Sequence, residues 1–114
     1  RASIANAVKY LRECPLGEAS QDAVARRVNM SRGYFSHCFK EVMGVSFAEF
    51  LRDLRVERSR QLLAAHPTRP VYWVAEKMGF RDEKYFSRFF KEHTGMLPTE
   101  YRRQQHPQHT NPKP

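Results

Sequence analysis

Val74-Ala75-Glu76-Lys77-Met78-Gly79-Phe80, then Tyr85-Phe86-Ser87-Arg88-Phe89-Phe90-Lys91-Glu92 after four intervening residues, is the stretch that decides the fold. Both parts are repeated earlier in the chain. Val24-Ala25-Arg26-Arg27-Val28-Asn29-Met30 lies over the first part. With one residue more in the second turn, Tyr34-Phe35-Ser36 lies over Tyr85-Phe86-Ser87. Phe39-Lys40-Glu41 matches Phe90-Lys91-Glu92, Gly44 matches Gly95, Glu49 matches Glu100, and Arg52 matches Arg103. About 11 of 29 positions are identical, more than chance gives two helical segments. The repeated unit is a short helix, a tight turn and a second helix. The chain holds two copies of a helix-turn-helix.

The flanking periodicity agrees. Ile4, Val8 and Leu11, with Ala5 and Ala7 beside them, recur at three and four and predict an amphipathic helix over about 2–14. Pro15 and Gly17 end it. Ser20 caps a short helix carrying Val24, Ala25 and Val28, and Ser31 caps another that runs to about Met43 and Gly44. Ser46 with Glu49 forms a capping-box pattern opening a long helix to about Ala65, closed by Pro67 and Pro70. A short helix follows through Met78 to Gly79. Asp82 caps one reaching about Thr94, and Pro98 starts a last one through about Arg103. The expected fold is therefore all-α: about seven helices forming two helix-turn-helix subdomains (about 1–45 and 66–103) joined by a linker helix (about 46–65). The polar tail 104–114 is predicted to be disordered.

Composition narrows the function. The chain has 114 residues, with 20 Lys and Arg against 12 Asp and Glu and a net charge of +8. That balance favours an acidic partner, and nucleic acid is the commonest. The longest apolar run, Val71-Tyr72-Trp73-Val74-Ala75, is far short of the roughly 18 residues of a membrane span. No charged leader followed by an apolar stretch is visible at the start, and the absence of an initiator Met suggests a fragment of something longer. Cys14 and Cys38 cannot make a disulfide framework, which suits a reducing compartment. There is no Gly-rich phosphate loop, no metal-ligand spacing and no nucleophile beside a base, so neither an enzyme nor a cofactor is expected. His106 and His109 lack a third ligand nearby.

Helical spacing sorts the two second helices into faces. On the first, about 32–43, Phe35, Cys38, Phe39 and Val42 point inward, and Arg32, Gly33, Ser36, His37 and Lys40 point outward. On the second, about 83–94, Phe86, Phe89, Phe90 and His93 take the buried side or its margin. Glu83, Lys84, Ser87, Arg88 and Lys91 face outward. The outward sets suit base edges: Arg pairs with guanine O6 and N7, Glu accepts from cytosine N4, and Ser and His serve either way. Lys40 and Lys91, further along their helices, suit phosphates. Tyr34 and Tyr85 are expected to pack at the starts of their helices, and Cys38 to be a buried, inert thiol.

Val74-Ala75 through Gly79-Phe80, Tyr85-Phe86-Ser87-Arg88-Phe89-Phe90-Lys91, Gly95, Pro98 and Tyr101-Arg102 resemble the DNA-binding domain of the AraC/XylS family of bacterial transcription regulators. The match runs from about Ile4 to Arg103. The resemblance implies two helix-turn-helix subdomains docking into neighbouring major-groove segments of double-stranded DNA, with RNA polymerase as a further partner. It implies a cytoplasmic, nucleoid-associated regulator, an activator among its modes, with a sensing or dimerising domain ahead of this one. Ser46-Phe47-Ala48-Glu49-Phe50-Leu51 is most similar to members fused to response-regulator receivers. Carried over by position, the base contacts are Gly33, Ser36 and His37 in the first copy, and Glu83, Lys84, Ser87 and Arg88 in the second. Gly33 and His37 depart from the side chains frequent there, so the first copy is expected to discriminate less. Arg88 is the leading specificity determinant.

The linker fits on length alone. A helix of roughly 20 residues spans about 30 Å, close to the pitch of about 34 Å that separates successive major-groove faces. Its Arg55, Arg58 and Arg60 either touch the DNA backbone or are simply solvated. The competing readings are a non-specific nucleic-acid module, with a salt dependence but no base preference, and a helical bundle that docks an acidic protein.

Overall fold

Short polar side chains cap the helices that start at Gln21, Arg32, Phe47 and Glu83, and glycines end those that start at Arg32 and Glu83. The computed structural model describes residues 2–106. Within them lie seven α-helices and no strand: α1 (Ala2–Glu13), α2 (Gln21–Arg27), α3 (Arg32–Met43), α4 (Phe47–Ala65), α5 (Val71–Lys77), α6 (Glu83–Thr94) and α7 (Pro98–Gln105). Ser20, Ser31 and Asp82 each accept a bond from the backbone N–H three residues on, at 3.1, 3.2 and 3.0 Å. Ser46 and Glu49 form the reciprocal capping box: the Ser46 N–H donates to Glu49 Oε1 at 3.0 Å, and the Glu49 N–H donates to Ser46 Oγ at 3.1 Å. Only half of that device recurs before α7, where the Leu97 N–H donates to Glu100 Oε1 at 2.8 Å. Leu97 has no side-chain acceptor to offer, and Pro98 removes one of the N–H groups that would need one. A 3-10 turn over Leu16–Glu18, absent from the sequence expectation, connects α1 to α2, and its Leu16 is buried.

The chain divides into two compact units, Arg1–Leu54 and Arg55–Pro114, with the boundary inside α4. In the first, Ile4, Ala7 and Leu11 of α1 are buried, as are Val24 and Ala25 of α2 and Phe35, Cys38 and Phe39 of α3. Phe47 at the start of α4 sets its ring edge-on to Phe35 and Phe39, each at 5.5 Å between centroids. In the second, Leu63 of α4, Val71, Val74 and Ala75 of α5, and Phe86 and Phe90 of α6 form the core. Tyr101 of α7 stands edge-on to Phe90 at 5.7 Å. Each aromatic pair of this geometry is worth about 0.5–1.5 kcal/mol beyond the apolar area it buries.

The two turns are built alike. The Met30 N–H donates to the Ala25 carbonyl at 2.9 Å, and the Asn29 N–H to that of Arg26 at 3.0 Å. The corresponding bonds in the second unit, Phe80 to Ala75 and Gly79 to Glu76, are both 3.0 Å. These are the six-to-one and five-to-two bonds of a Schellman motif, which needs a left-handed residue at its fifth position. Asn29 has φ 60° and Gly79 φ 90°. Asparagine is one of the few residues with a side chain that adopts this conformation readily, so the two copies share a backbone without sharing a residue.

Three expectations are corrected. Val42 faces solvent and is 40 % exposed, because α3 has outrun its core in its last turn. His93 is likewise exposed, one turn past Phe89, whose ring it meets edge-on at 4.8 Å. The tail does not begin at Gln104: α7 continues through Gln105, and the half-buried His106 ring bonds through Nε2 to the Ala64 carbonyl. The remainder of the expected disordered tail, 107–114 with His109, lies outside the described residues.

Candidate nucleic-acid interface

The caps and turns above fix where α3 and α6 begin, and so which side chains their first turns present. On α3, Arg32, Gly33, Ser36, His37 and Lys40 are all exposed. On α6, Glu83, Lys84, Arg88 and Lys91 are exposed, and Ser87 is half-buried. Gly33, Ser36, His37 and Lys40, and likewise Lys84, Ser87, Arg88 and Lys91, lie round their helices from the buried phenylalanines, whereas Arg32 and Glu83 share the phenylalanine side and are exposed because they open their helices. Gly33 leaves open space, since a Cβ built there meets no atom within 4 Å.

Charge pairing separates the two faces. Arg32 Nη1 lies 3.0 Å from Asp22 Oδ1 of α2, and His37 Nε2 lies 4.0 Å from Glu41 one turn along. Among the described residues, no carboxylate pairs with Lys84, Arg88 or Lys91. The Arg88 guanidinium instead lies 5.7 Å from the centre of the Tyr85 ring. On the first helix Arg32 is thus paired with a carboxylate and His37 lies near one, whereas on the second Lys84, Arg88 and Lys91 pair with none among the described residues. Residue counts follow the same direction. Residues 1–54 hold eight basic and six acidic residues, +2, and residues 55–114 hold 12 and six, +6.

The expectation for Tyr34 and Tyr85 is corrected. They do not pack at the helix starts: they are 53 % and 57 % exposed. The available signal was their register, since each precedes a buried phenylalanine and so falls outside the core stripe. Cys38 is fully buried, as expected. On α4, Arg55 is half-buried with its guanidinium 5.8 Å from the Phe80 ring centre, and burial lowers its pKa. Arg58 is half-buried and Arg60 exposed. Burial also lowers the pKa of Arg102 on α7. Among the described residues no group of three His, Cys, Asp or Glu could hold a metal ion, and no helix is long and apolar enough to cross a membrane.

A family profile described as a helix-turn-helix domain matches residues 24–104. The arabinose operon regulatory protein of Escherichia coli K12 is 38 % identical over 81 residues, covering 70 % of this chain and 27 % of that protein. The chain spans about a third of the length of the curated relatives it matches first. Among solved structures, the C-terminal domain of AraT, a response regulator from Geobacillus stearothermophilus, superposes with a TM-score of 0.82 at 30 % identity. That likeness covers 91 % of this chain and 86 % of the other. The DNA-binding domain of AdpA, a global transcriptional factor solved in complex with a target DNA, gives a TM-score of 0.81 at 28 % identity. It covers 93 % of this chain and 97 % of that one.

Proposed function

The chain belongs to the AraC/XylS-type helix-turn-helix family, and from that premise we propose that it binds double-stranded DNA sequence-specifically in transcription regulation. Residues 1–103 are the DNA-binding domain. Its recognition helices, α3 and α6, read adjacent major-groove segments of one operator or promoter site. The observation that carries this is the pair of helix-turn-helix units, each with polar or small residues presented on a second helix whose other side is a phenylalanine core. The AdpA domain, so similar in fold and solved on its target, supports DNA as the partner.

Within that reading, Arg32, Gly33, Ser36 and His37 lie at base edges in one segment, and Glu83, Lys84, Ser87 and Arg88 in the other. Lys40 and Lys91 neutralise phosphates. Arg88 makes two hydrogen bonds to a guanine, discriminating by about 1–3 kcal/mol. The acid-paired Arg32 and His37 support weaker discrimination by the first head. Relatives about three times as long, and the response-regulator origin of the AraT domain, support this chain as the output part of a longer bacterial regulator. Its partners there are a preceding sensing or dimerising domain and RNA polymerase, and its place is the cytoplasm, at the nucleoid. The family is one of DNA-binding regulators rather than enzymes.

Selection from a random duplex library of about 25 base pairs, followed by sequencing, tests the proposal. Two short preferred segments about one helical turn apart, without a palindrome, are expected. Salt-sensitive binding with no enrichment would overturn it in favour of a non-specific nucleic-acid module.

A further inference from the structure

The repeat provides its own control. Some identities between the copies are accounted for by packing: Val24 and Val74, Ala25 and Ala75, Phe35 and Phe86, and Phe39 and Phe90 are all buried. Others serve the backbone: Gly44 and Gly95 are left-handed C-caps at φ 80° and 83°, and Glu49 and Glu100 each accept a bond from the N-cap N–H of their own helix. Tyr34 and Tyr85 belong to neither group. They occupy the same position, the third of α3 and of α6, and both rings stand mostly in solvent. Their backbone N–H groups bond to the cap residues Ser31 and Asp82, which fixes each Cα without any help from the side chain. The fold does not require a tyrosine at either place.

We infer that Tyr34 and Tyr85 each donate a hydrogen bond from the phenolic hydroxyl to a backbone phosphate, one on each reading head. The inference rests on the two-head reading and adds a contact to it. Three observations support it. Each tyrosine stands about 100° round its helix from a buried phenylalanine and one turn before His37 or Arg88, which puts it on the flank of the reading face. A helix about 10–12 Å across fills a major groove about 12 Å wide, so its flanks meet the phosphate walls and its front meets the bases. Arg88 over the Tyr85 ring shows that ring lying along the reading face.

The third observation is the pattern of difference between the copies. Of the four predicted base-facing pairs, three differ: Arg32 with Glu83, Gly33 with Lys84, and His37 with Arg88. The phosphate-facing pair, Lys40 with Lys91, does not. Two heads that read different segments need different readers. Phosphates are alike along any duplex, and a neutral phenol bonded to an anionic oxygen serves both heads equally well.

The test compares wild type with Tyr34→Phe and Tyr85→Phe, on a selected duplex and on a shuffled one, across a salt series. Each variant is expected to bind about 3- to 10-fold more weakly on both duplexes. The salt slope should not change, because a neutral donor releases no counterion. Wild-type affinity in both variants would overturn the inference while leaving two-head reading intact. A loss on the selected duplex alone would overturn it too, since that marks a base contact. Absence of any wild-type preference for the selected duplex would instead overturn two-head reading, and the phenylalanine comparison on shuffled DNA would still decide the phosphate contact.

Discussion

Arg88 and Gly33 mark the extremes of what one residue contributes to these reading faces. Arg88 is exposed, has no carboxylate partner among the described residues and is braced by Tyr85 at 5.7 Å. Removing its fork should flatten preference at one guanine. We expect Arg88→Ala to cost about 10- to 100-fold in discrimination there, with the helical circular-dichroism spectrum unchanged. Unaltered base preference in a folded variant would remove Arg88 from the reading set. Gly33 is the second residue of α3, where glycine costs part of the roughly 0.5–1 kcal/mol that it costs relative to alanine in mid-helix, and an added Cβ meets nothing. Gly33→Ala should therefore raise the urea midpoint of unfolding; a lowered midpoint would show that open space to be needed by the fold. The spacing of apolar residues placed Phe35, Phe39, Phe86 and Phe90 in the core correctly, because packing repeats with the helix. It misjudged Val42 at the end of α3, since periodicity carries no information on where a neighbouring core stops. The bond from His106 to Ala64 was illegible for a different reason: the two are 42 residues apart, and no local rule connects them.

Helix limits were the most legible feature of the chain, because capping is chemistry within three or four residues. Ser20, Ser31 and Asp82 are N-caps, and Gly44 and Gly95 are C-caps, where the sequence placed them. The start of α4 is the case that responds to pH. Glu49 is held below the usual glutamate range chiefly by the Ser46 backbone N–H and next by the Ser46 hydroxyl, with smaller help from Lys40 and Arg52. A carboxyl depressed in the folded state stabilises above its unfolded pKa, about 4.3, and loses that contribution as pH falls through its folded value. Glu49→Gln should accordingly be less stable than wild type at pH 6, with a smaller gap at pH 3. Urea midpoints measured at the two pH values check this. An equal gap at both would mean that the box acts through shape and not through charge. The division between compact units inside α4 had no sequence signal, since a helix runs through it without a glycine or proline.

Across the whole molecule the positive charge is lopsided, +2 in residues 1–54 and +6 in residues 55–114, a contrast visible only once the division is known. Counterion release turns such charge into affinity: the logarithm of the binding constant falls with the logarithm of salt by about 0.9 for each phosphate neutralised. Lys40 and Lys91 hold the same place on α3 and α6, both exposed, so each should contribute one such phosphate. Lys40→Ala and Lys91→Ala are each expected to make the slope shallower by about 0.9 on any duplex, and the double variant by about 1.8. Additivity follows because the lysines sit in separate compact units and share no partner. Fluorescence anisotropy on one selected and one shuffled duplex, from 50 to 200 mM salt, reads slope and preference together. A slope unchanged by Lys91→Ala would place that lysine away from the backbone. A changed preference at constant slope would make it a base reader, and the second head would then read a segment reaching a full turn further along α6.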